Sequence, residues 1–193
     1  MSINLVLAST SPFRAQLLTR LGLPFETDSP AVDESRLHDE AAEVLVQRLA
    51  RTKAEAVADR HPDSLIIGSD QVAVIDSEIL GKPGEREHAI AQLQRASGKV
   101  VTFFTGLCLY NSRSGRSQVV CEPFRAHFRE LDTHQIMRYI DREQPLNCAG
   151  SFKSEGLGIT LFRRLEGDDP NALIGLPLIR LTELLYNEGV FLP

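Results

Sequence analysis

Residues 65–75, with the sequence LIIGSDQVAVI, constrain the fold more than any other segment of the chain. Apolar residues stand on both sides of a polar centre, Gly68-Ser69-Asp70-Gln71, as in a strand that is buried along most of its length. Burial of an unpaired carboxylate costs several kcal/mol, so Asp70 needs a compensating partner. The segment therefore predicts a core strand whose centre meets a cation, a ligand or a metal.

Composition excludes several classes of protein. The 193 residues, 42% of them hydrophobic, are enough for one sizeable core or for two lobes that share a cleft. A net charge of −5 argues against a broad nucleic-acid-binding face, so we expect no nucleic-acid partner, although a small anionic ligand remains possible. We also expect no membrane partner, because no stretch approaches the ~20 apolar residues of a membrane span.

The N-terminus and the cysteines indicate a cytoplasmic protein. The first ten residues lack the basic start and long apolar run of a signal peptide. Cys108, Cys121 and Cys148 form no CxxC pair, which is typical of reduced thiols that serve packing.

Hydrophobic patterns mix strands and helices along the whole chain. Predicted strands cover residues 3–8, a short stretch around Phe25, and residues 65–75, 100–110 and 118–128. Predicted helices cover residues 12–21, 40–60, 85–97, a segment that starts at Asp132 or Thr133 and ends before Pro145, and residues 177–187. With a hairpin predicted after residue 75, these elements indicate an α/β or α+β fold around a mixed sheet.

Residues 7–14, LASTSPFR, pass from a predicted strand into a predicted helix. Backbone N–H groups are free at the start of a helix, where the helix dipole is positive. With hydroxyls from Ser9, Thr10 and Ser11 and the guanidinium of Arg14, this turn could cradle a phosphate. The alternative is an ordinary N-cap at Ser11 followed by a solvated arginine.

Lys53 interrupts an apolar stripe of the predicted helix, just as Asp70 interrupts an apolar strand. The stripe steps by four, three and four residues through Val46, Ala50, Lys53 and Val57. Either the aliphatic stem of Lys53 lies along the apolar surface and its ammonium reaches solvent, or the residue has a functional role. An ion pair between Lys53 and Asp70 would compensate both charges, as would a shared ligand or metal.

Other charged residues complete a candidate site. Lys82 in LGKP adds a cation and Asp33-Glu34 adds carboxylates, although each could be an exposed loop charge. Arg14, Lys53 and Lys82 could neutralise a triphosphate, while Glu34 and Asp70 could hold Mg²⁺ and orient or deprotonate water. Walker A and GxGxxG motifs are absent from the sequence.

Seven segments together resemble the Maf family of nucleoside triphosphate pyrophosphatases. In chain order they are LASTSPFR, PAVDE, LARTKAEAVA, IIGSDQV, GKP, SGKVVTFFTGL and CAGSFKSEGLG. The resemblance implies one domain over residues 1–193, with a mixed twisted sheet, flanking helices and two lobes around a deep cleft. It also implies hydrolysis between the α and β phosphates with a divalent cation (Mg²⁺ or Mn²⁺), and it suggests a homodimer.

The resemblance also assigns roles to individual residues. It makes Asp70 the proton acceptor that activates water and Glu34 its acidic partner at the metal. It makes Ser9, Arg14, Lys53 and Lys82 the residues that bind the phosphates; these positions stay expectations until they are tested.

Three positions resemble the branch of the family that hydrolyses 7-methyl-GTP. They are Phe13, Gln71 and Glu155, where the branch that hydrolyses dTTP and UTP has SPRR and SDT in place of SPFR and SDQ. Methylation at N7 makes guanine cationic, so Phe13 could stack on it and Glu155 could accept its hydrogen bonds with the opposite charge. The alternatives are a broader pyrophosphatase for dTTP, UTP or modified purines, and a non-catalytic nucleotide-binding regulator of septum formation.

Overall fold

A computed structural model describes residues 4–193, so the predicted start of the first strand at Ile3 lies outside the described residues. The α-helices, in chain order, are Pro12–Thr19 (α1), Ala42–Glu55 (α2), Arg86–Ala96 (α3), Thr133–Glu143 (α4) and Leu178–Asn187 (α5). The strands are Asn4–Ala8 (β1), Glu26–Asp28 (β2), Ser64–Ile75 (β3), Glu78–Leu80 (β4), Val100–Asn111 (β5), Arg116–Phe128 (β6) and Phe162–Glu166 (β7).

The strands form one mixed sheet in the order β2-β1-β3-β5-β6-β7, with β4 paired to β3. β1 runs parallel to both β2 and β3, whereas β4 is antiparallel to β3 and β7 is antiparallel to β6. This arrangement confirms the predicted mixed α/β class and the predicted hairpin after residue 75.

Contacts divide the chain into two units, each with its own core. The first contains the described residues up to Asp70, together with Thr105–Glu122 and Asp169–Pro193. The second contains Gln71–Phe104 and Pro123–Asp168. The cleft and the single domain implied by the resemblance stay predictions.

The first unit has a sheet covered on both faces. Successive residues of a strand point to opposite faces. Leu65 and Ile67 of β3 therefore pack in a cluster with residues of α1 and α5, while Ile66 packs in a second cluster with Ala50 and Ala54 of α2. Parallel strands covered on both faces read as continuous apolar runs, which is the pattern of β1 and of the first part of β3.

Two glycines bring α2 unusually close to the sheet. A Cβ at Gly68 of β3 would lie 2.0 Å from the carbonyl oxygen of Ala50, and a Cβ at Gly106 of β5 would lie 2.1 Å from that of Val46. Both distances are far shorter than any real Cβ contact. Only residues without a side chain allow this approach, which carries the next turn of α2 over the centre of β3.

The second unit has an aromatic core. Phe152 packs edge-to-face against Phe103, Phe128 and Phe162, with ring centroids 4.8–5.8 Å apart. In the same unit, Asp132 is the N-cap of α4, one of the two predicted caps, and its side chain accepts a hydrogen bond from the backbone N–H of Gln135 in a capping box.

The predicted helix over residues 40–60 was wrong at both ends. The α-helix ends at Glu55, and a separate 3₁₀ helix covers Ala58–Arg60. In this 3₁₀ helix Arg60 Nε donates to Asp28 Oδ2 at 2.8 Å, a tertiary ion pair that periodicity does not reveal. At the other end, the helix begins at Ala42 because Glu40 is held in the preceding loop.

Candidate active site

Lys53 and Asp70 form a buried ion pair. Asp70 lies on the same face of β3 as Ile66 and Gly68, the face that α2 covers, and Lys53 lies one turn beyond Ala50 on α2. Lys53 Nζ donates to Asp70 Oδ1 at 2.6 Å, and the two residues are only 5% and 6% exposed. The ion pair, one of the alternatives that the sequence suggests, is thus present, and each of the two buried charges compensates the other.

Glu34 joins the same cation from a loop. Its Oε1 atom lies 2.9 Å from Lys53 Nζ, although the Glu34 side chain is 53% exposed. Two carboxylates, one buried and one open to solvent, thus share one lysine. This arrangement unites three of the residues predicted from the sequence.

A second ion pair fixes the loop that carries Glu34. Arg48 of α2 binds the buried carboxylate of Glu40 through Nε at 2.6 Å and Nη2 at 2.8 Å. The same Nη2 donates to the carbonyl oxygen of Ser35, the residue after Glu34, at 3.0 Å. Hydrogen bonds from Arg48 lower the pKa of Glu40 from 4.5 to about 2, so both members of this Arg48–Glu40 clamp are charged at neutral pH.

Arg14 is anchored by a backbone carbonyl. Its Nε donates to Gly175 O at 2.9 Å, and Ser69 Oγ also lies 2.9 Å from that oxygen. Burial lowers the pKa of Arg14, while the negative charges of Asp70 and Glu34 act in the opposite direction. An arginine stays protonated at neutral pH in proteins, so the guanidinium keeps a positive charge that Asp70 and Glu34 attract.

The turn before α1 contains the predicted N-cap. Ser11 Oγ accepts from the backbone N–H of Arg14 at 3.4 Å, and Ser9 Oγ accepts from the backbone N–H of Ser11 at 3.1 Å. Ser9 is buried, and Phe13 in the first turn of α1 is half-buried. Ser9, Arg14, Glu34, Lys53 and Asp70 all belong to the first unit.

The remaining predicted residues belong to the second unit. Lys82 and Glu155 are exposed, and Gln71 is half-buried and directly follows Asp70 on β3. Their roles, like those of the other site residues, stay predictions.

A site with two carboxylates suits a divalent cation whose other ligands are phosphate oxygens of a substrate. Within residues 4–193, no group of three or more His, Cys, Asp or Glu side chains is arranged to hold a metal ion. Mg²⁺ usually binds one or two carboxylates together with substrate phosphates and water, rather than a cage made only of protein ligands. Glu34 and Asp70, both at Lys53 Nζ, fit this mode and would hold the ion.

The cysteines are consistent with a packing role. All three are free, and burial raises the pKa of Cys108 and of Cys121 to about 12. Both therefore remain thiols at neutral pH, and a thiol is a much poorer nucleophile than a thiolate.

Sequence reasoning missed the residues that position the charged ones. The helix predicted over residues 40–60 contains Arg48 and Glu40 without a separate role, and the sequence assigns no role to Gly175. Gly175 has φ +118°, a conformation that favours glycine. The local signal for this turn in the sequence is the GLP segment that follows an apolar stretch.

Comparisons with known proteins agree with this architecture. A Ham1 protein from Staphylococcus aureus superposes with a TM-score of 0.54 at 14% identity, covering 96% of this chain and 99% of that one. A HAM1 protein from Coxiella burnetii has the same TM-score and coverage at 13% identity. At these identities the likeness shows the fold alone. In the part of the chain that the structure describes, no helix is both long and apolar enough to cross a membrane.

Sequence relatives are much closer. A protein of Alcanivorax borkumensis named 7-methyl-GTP pyrophosphatase is 66% identical over 190 residues, which is 98% of this chain and 96% of the relative. Proteins with the same name from Pseudomonas aeruginosa and Vibrio cholerae are 60% and 58% identical, over 98% and 97% of this chain and 99% and 96% of theirs. The family model described as "Maf-like protein" matches residues 4–188. The chain therefore belongs to the Maf family.

Proposed function

We propose that this protein is a nucleoside triphosphate pyrophosphatase that hydrolyses 7-methyl-GTP to 7-methyl-GMP and pyrophosphate. The observation that carries the proposal is the buried Lys53–Asp70 pair with Glu34 on the same lysine. A protein that only binds a polyanion gains nothing from two carboxylates at its cation, whereas a hydrolase needs a proton acceptor. Relatives 58–66% identical over nearly the whole chain carry the name of this activity.

In the proposed reaction, water attacks the α-phosphorus in line with the bridging oxygen to the β-phosphate. Asp70 accepts the water proton as the new P–O bond forms, and the bond from the α-phosphorus to the bridging oxygen breaks to release pyrophosphate. Arg14, Lys53 and Lys82 stabilise the charge that develops on the phosphates, and Ser9 binds a phosphate oxygen. A divalent cation, when bound at Glu34 and Asp70, supplies further charge neutralisation.

Base selectivity is assigned to Phe13, Gln71 and Glu155. The cationic 7-methylguanine ring attracts the Phe13 face, an interaction worth about 0.5–2 kcal/mol depending on its burial. The Glu155 carboxylate accepts hydrogen bonds from the N1–H and exocyclic amine of guanine, and Gln71 offers an amide donor or acceptor. Uracil and thymine present only one imide N–H to such a carboxylate, so we expect them to be poor substrates.

Pyrophosphate release from a panel of canonical and modified nucleoside triphosphates, with Mg²⁺, Mn²⁺ or chelator, tests the proposal. We expect the highest kcat/KM with 7-methyl-GTP and loss of activity in chelator. Preference for dTTP, UTP or another modified purine would assign a broader pyrophosphatase, and binding without pyrophosphate release would assign a regulator.

Asp70→Asn tests the mechanism. We expect kcat to fall by about 10²–10⁴ while the Kd for substrate stays largely unchanged, because the amide keeps the shape but cannot accept the proton. Asp63→Asn, at an exposed aspartate paired with Arg113, is the matched control and should keep full activity. Full turnover by Asp70→Asn would reject the assignment.

Glu155→Gln tests selectivity. Loss of the carboxylate charge should lower the ratio of kcat/KM for 7-methyl-GTP over GTP, because the methylated base is cationic and GTP is not. An unchanged ratio would clear Glu155 of this role.

A further inference from the structure

The segment that carries Glu155 is attached to α4 on both sides of that residue. On one side, the backbone N–H of Lys153 donates to Tyr139 Oη at 3.0 Å and Lys153 Nζ donates to the carbonyl oxygen of Glu143 at 2.7 Å. On the other side, the backbone N–H of Leu157 donates to Glu143 Oε2 at 2.8 Å. Glu143 thus contacts residues two positions before and two positions after Glu155.

Glu143 is suited to this role by its place at the end of α4. It is the last residue of the helix, so its carbonyl lacks an intrahelical partner and lies at the negative end of the helix dipole. The ammonium of Lys153 satisfies that carbonyl and lies 3.8 Å from Glu143 Oε1. Since its side chain is mostly buried, the carboxylate has a defined position against the segment.

Two glycines of the segment lie very close to the residues that attach it to α4. A Cβ at Gly156 would lie 2.8 Å from both carboxylate oxygens of Glu143, and a Cβ at Gly158 would lie 2.2 Å from the carbonyl oxygen of Lys153. A side chain at residue 156 would therefore have to displace the Glu143 carboxylate from its place in the turn.

Glu155 itself is exposed, and its carboxylate accepts a hydrogen bond from its neighbour, Ser154 Oγ, at 3.3 Å. Its location therefore depends on the anchors of the segment. We infer that Glu143 is a positioning residue that holds Glu155 where it distinguishes 7-methylguanine from guanine. This inference rests on the proposed function, since it needs Glu155 to read the base.

Steady-state kinetics with 7-methyl-GTP and GTP test the inference on Glu143→Ala, Glu143→Gln and the wild type. We expect Glu143→Ala to lower the ratio of kcat/KM for 7-methyl-GTP over GTP about tenfold, because a charged hydrogen bond to the segment is lost and the Glu155 carboxylate is no longer held at the cationic base. The kcat/KM for GTP should fall less, because GTP loses hydrogen bonds to Glu155 but no charge attraction. Glu143→Gln should keep the ratio within about threefold, because the amide oxygen still accepts from Leu157. Glu87→Ala, which removes an exposed carboxylate from α3, is the control and should leave the ratio unchanged.

A double-mutant cycle with Gly156→Ala separates positioning from general damage. In the otherwise wild-type chain, the added Cβ should displace the Glu143 carboxylate and lower the ratio of kcat/KM for 7-methyl-GTP over GTP. In the Glu143→Ala background the obstruction is gone, so the same substitution should have no further effect. Thermal melting of each variant shows whether it is folded, and Gly156→Ala removes none of the groups that bond the segment to α4.

The outcomes are distinct. An unchanged ratio in Glu143→Ala or in Gly156→Ala, equal losses with both substrates, or additive effects in the cycle would each overturn the inference. Failure of the proposed function is visible separately, because the wild type would then show no preference for 7-methyl-GTP.

Discussion

Replacement of Lys53 by Met should destabilise the protein far more than removal of an exposed cation. Met keeps much of the volume of the buried stem but leaves Asp70, 6% exposed, and Glu34 without their shared positive charge. Removal of one partner from a buried pair costs about 3–5 kcal/mol. Because Glu34 is half-exposed and remains solvated, we expect the lower end, about 3 kcal/mol. For a chain of this length that corresponds to a fall in Tm of about 6–12 °C.

Thermal melting in chelator-containing buffer measures this effect, since a divalent cation could replace the missing charge. Arg51→Met is the matched control on the same helix, because Arg51 pairs with Glu55 at the surface. Such exposed i,i+4 pairs contribute about 0.3–0.5 kcal/mol, so this variant should melt within about 2 °C of the wild type.

The double variant Lys53→Met/Asp70→Asn provides the decisive comparison. Removal of the orphaned carboxylate should restore at least half of the lost stability, which gives a coupling energy of about 1.5 kcal/mol or more. The reasoning is refuted when Lys53→Met melts together with Arg51→Met, or when the effects of the two substitutions simply add.

Two further predictions concern the neighbours of this pair. Gly68→Ala should lower the free energy of unfolding by about 1–3 kcal/mol and also lower kcat, because its Cβ would overlap the Ala50 carbonyl and push α2 away. Gly81→Ala is the control and should not change stability, because no atom lies within 4 Å of its new Cβ. Equal melting temperatures of the two variants would contradict the packing argument. The Arg48–Glu40 clamp should confer pH-dependent stability: the depressed pKa of Glu40 gives a contribution fully present above pH 4.5 that is lost as the pH falls towards about 2. The difference in Tm between the wild type and Glu40→Gln should therefore shrink as the pH is lowered from 4.5 towards 2. A difference that stays constant would show that the clamp is not the source of pH-dependent stability.

The sequence predicted the elements of the fold better than their ends or their order. Apolar runs identified β3, β5 and β6, and the capping residues located α1 and α4, because these signals are local. Beyond the end of α2 at Glu55, Arg60 pairs with Asp28, a partner 32 residues away that no local pattern indicates. The order of the strands likewise depends on which faces can be buried together, which no single segment determines.

The candidate site shows the same division. Lys53 and Asp70 were detectable because each places a charge inside an apolar pattern, and two such violations of opposite sign suggest a pair. Arg48 and Glu40 violate no pattern: each is an ordinary polar residue at a helix surface or start, and only the folded chain shows that they hold the Glu34 loop. Positioning residues are therefore harder to find from a sequence than the charges that they position.

Alternation along β3 explains two of the three polar residues that interrupt this strand at its centre. Ser69 points to the face that carries the Gly175 carbonyl, to which Arg14 is also bound, and Asp70 points to the opposite face, where Lys53 lies. Two consecutive residues thus meet different partners: a backbone carbonyl shared with Arg14, and the ammonium of Lys53. A one-residue shift of β3 would exchange these faces and leave Asp70 buried without its lysine. The register of β3, which Gly68 fixes against α2, is therefore a condition for the proposed chemistry as well as for stability.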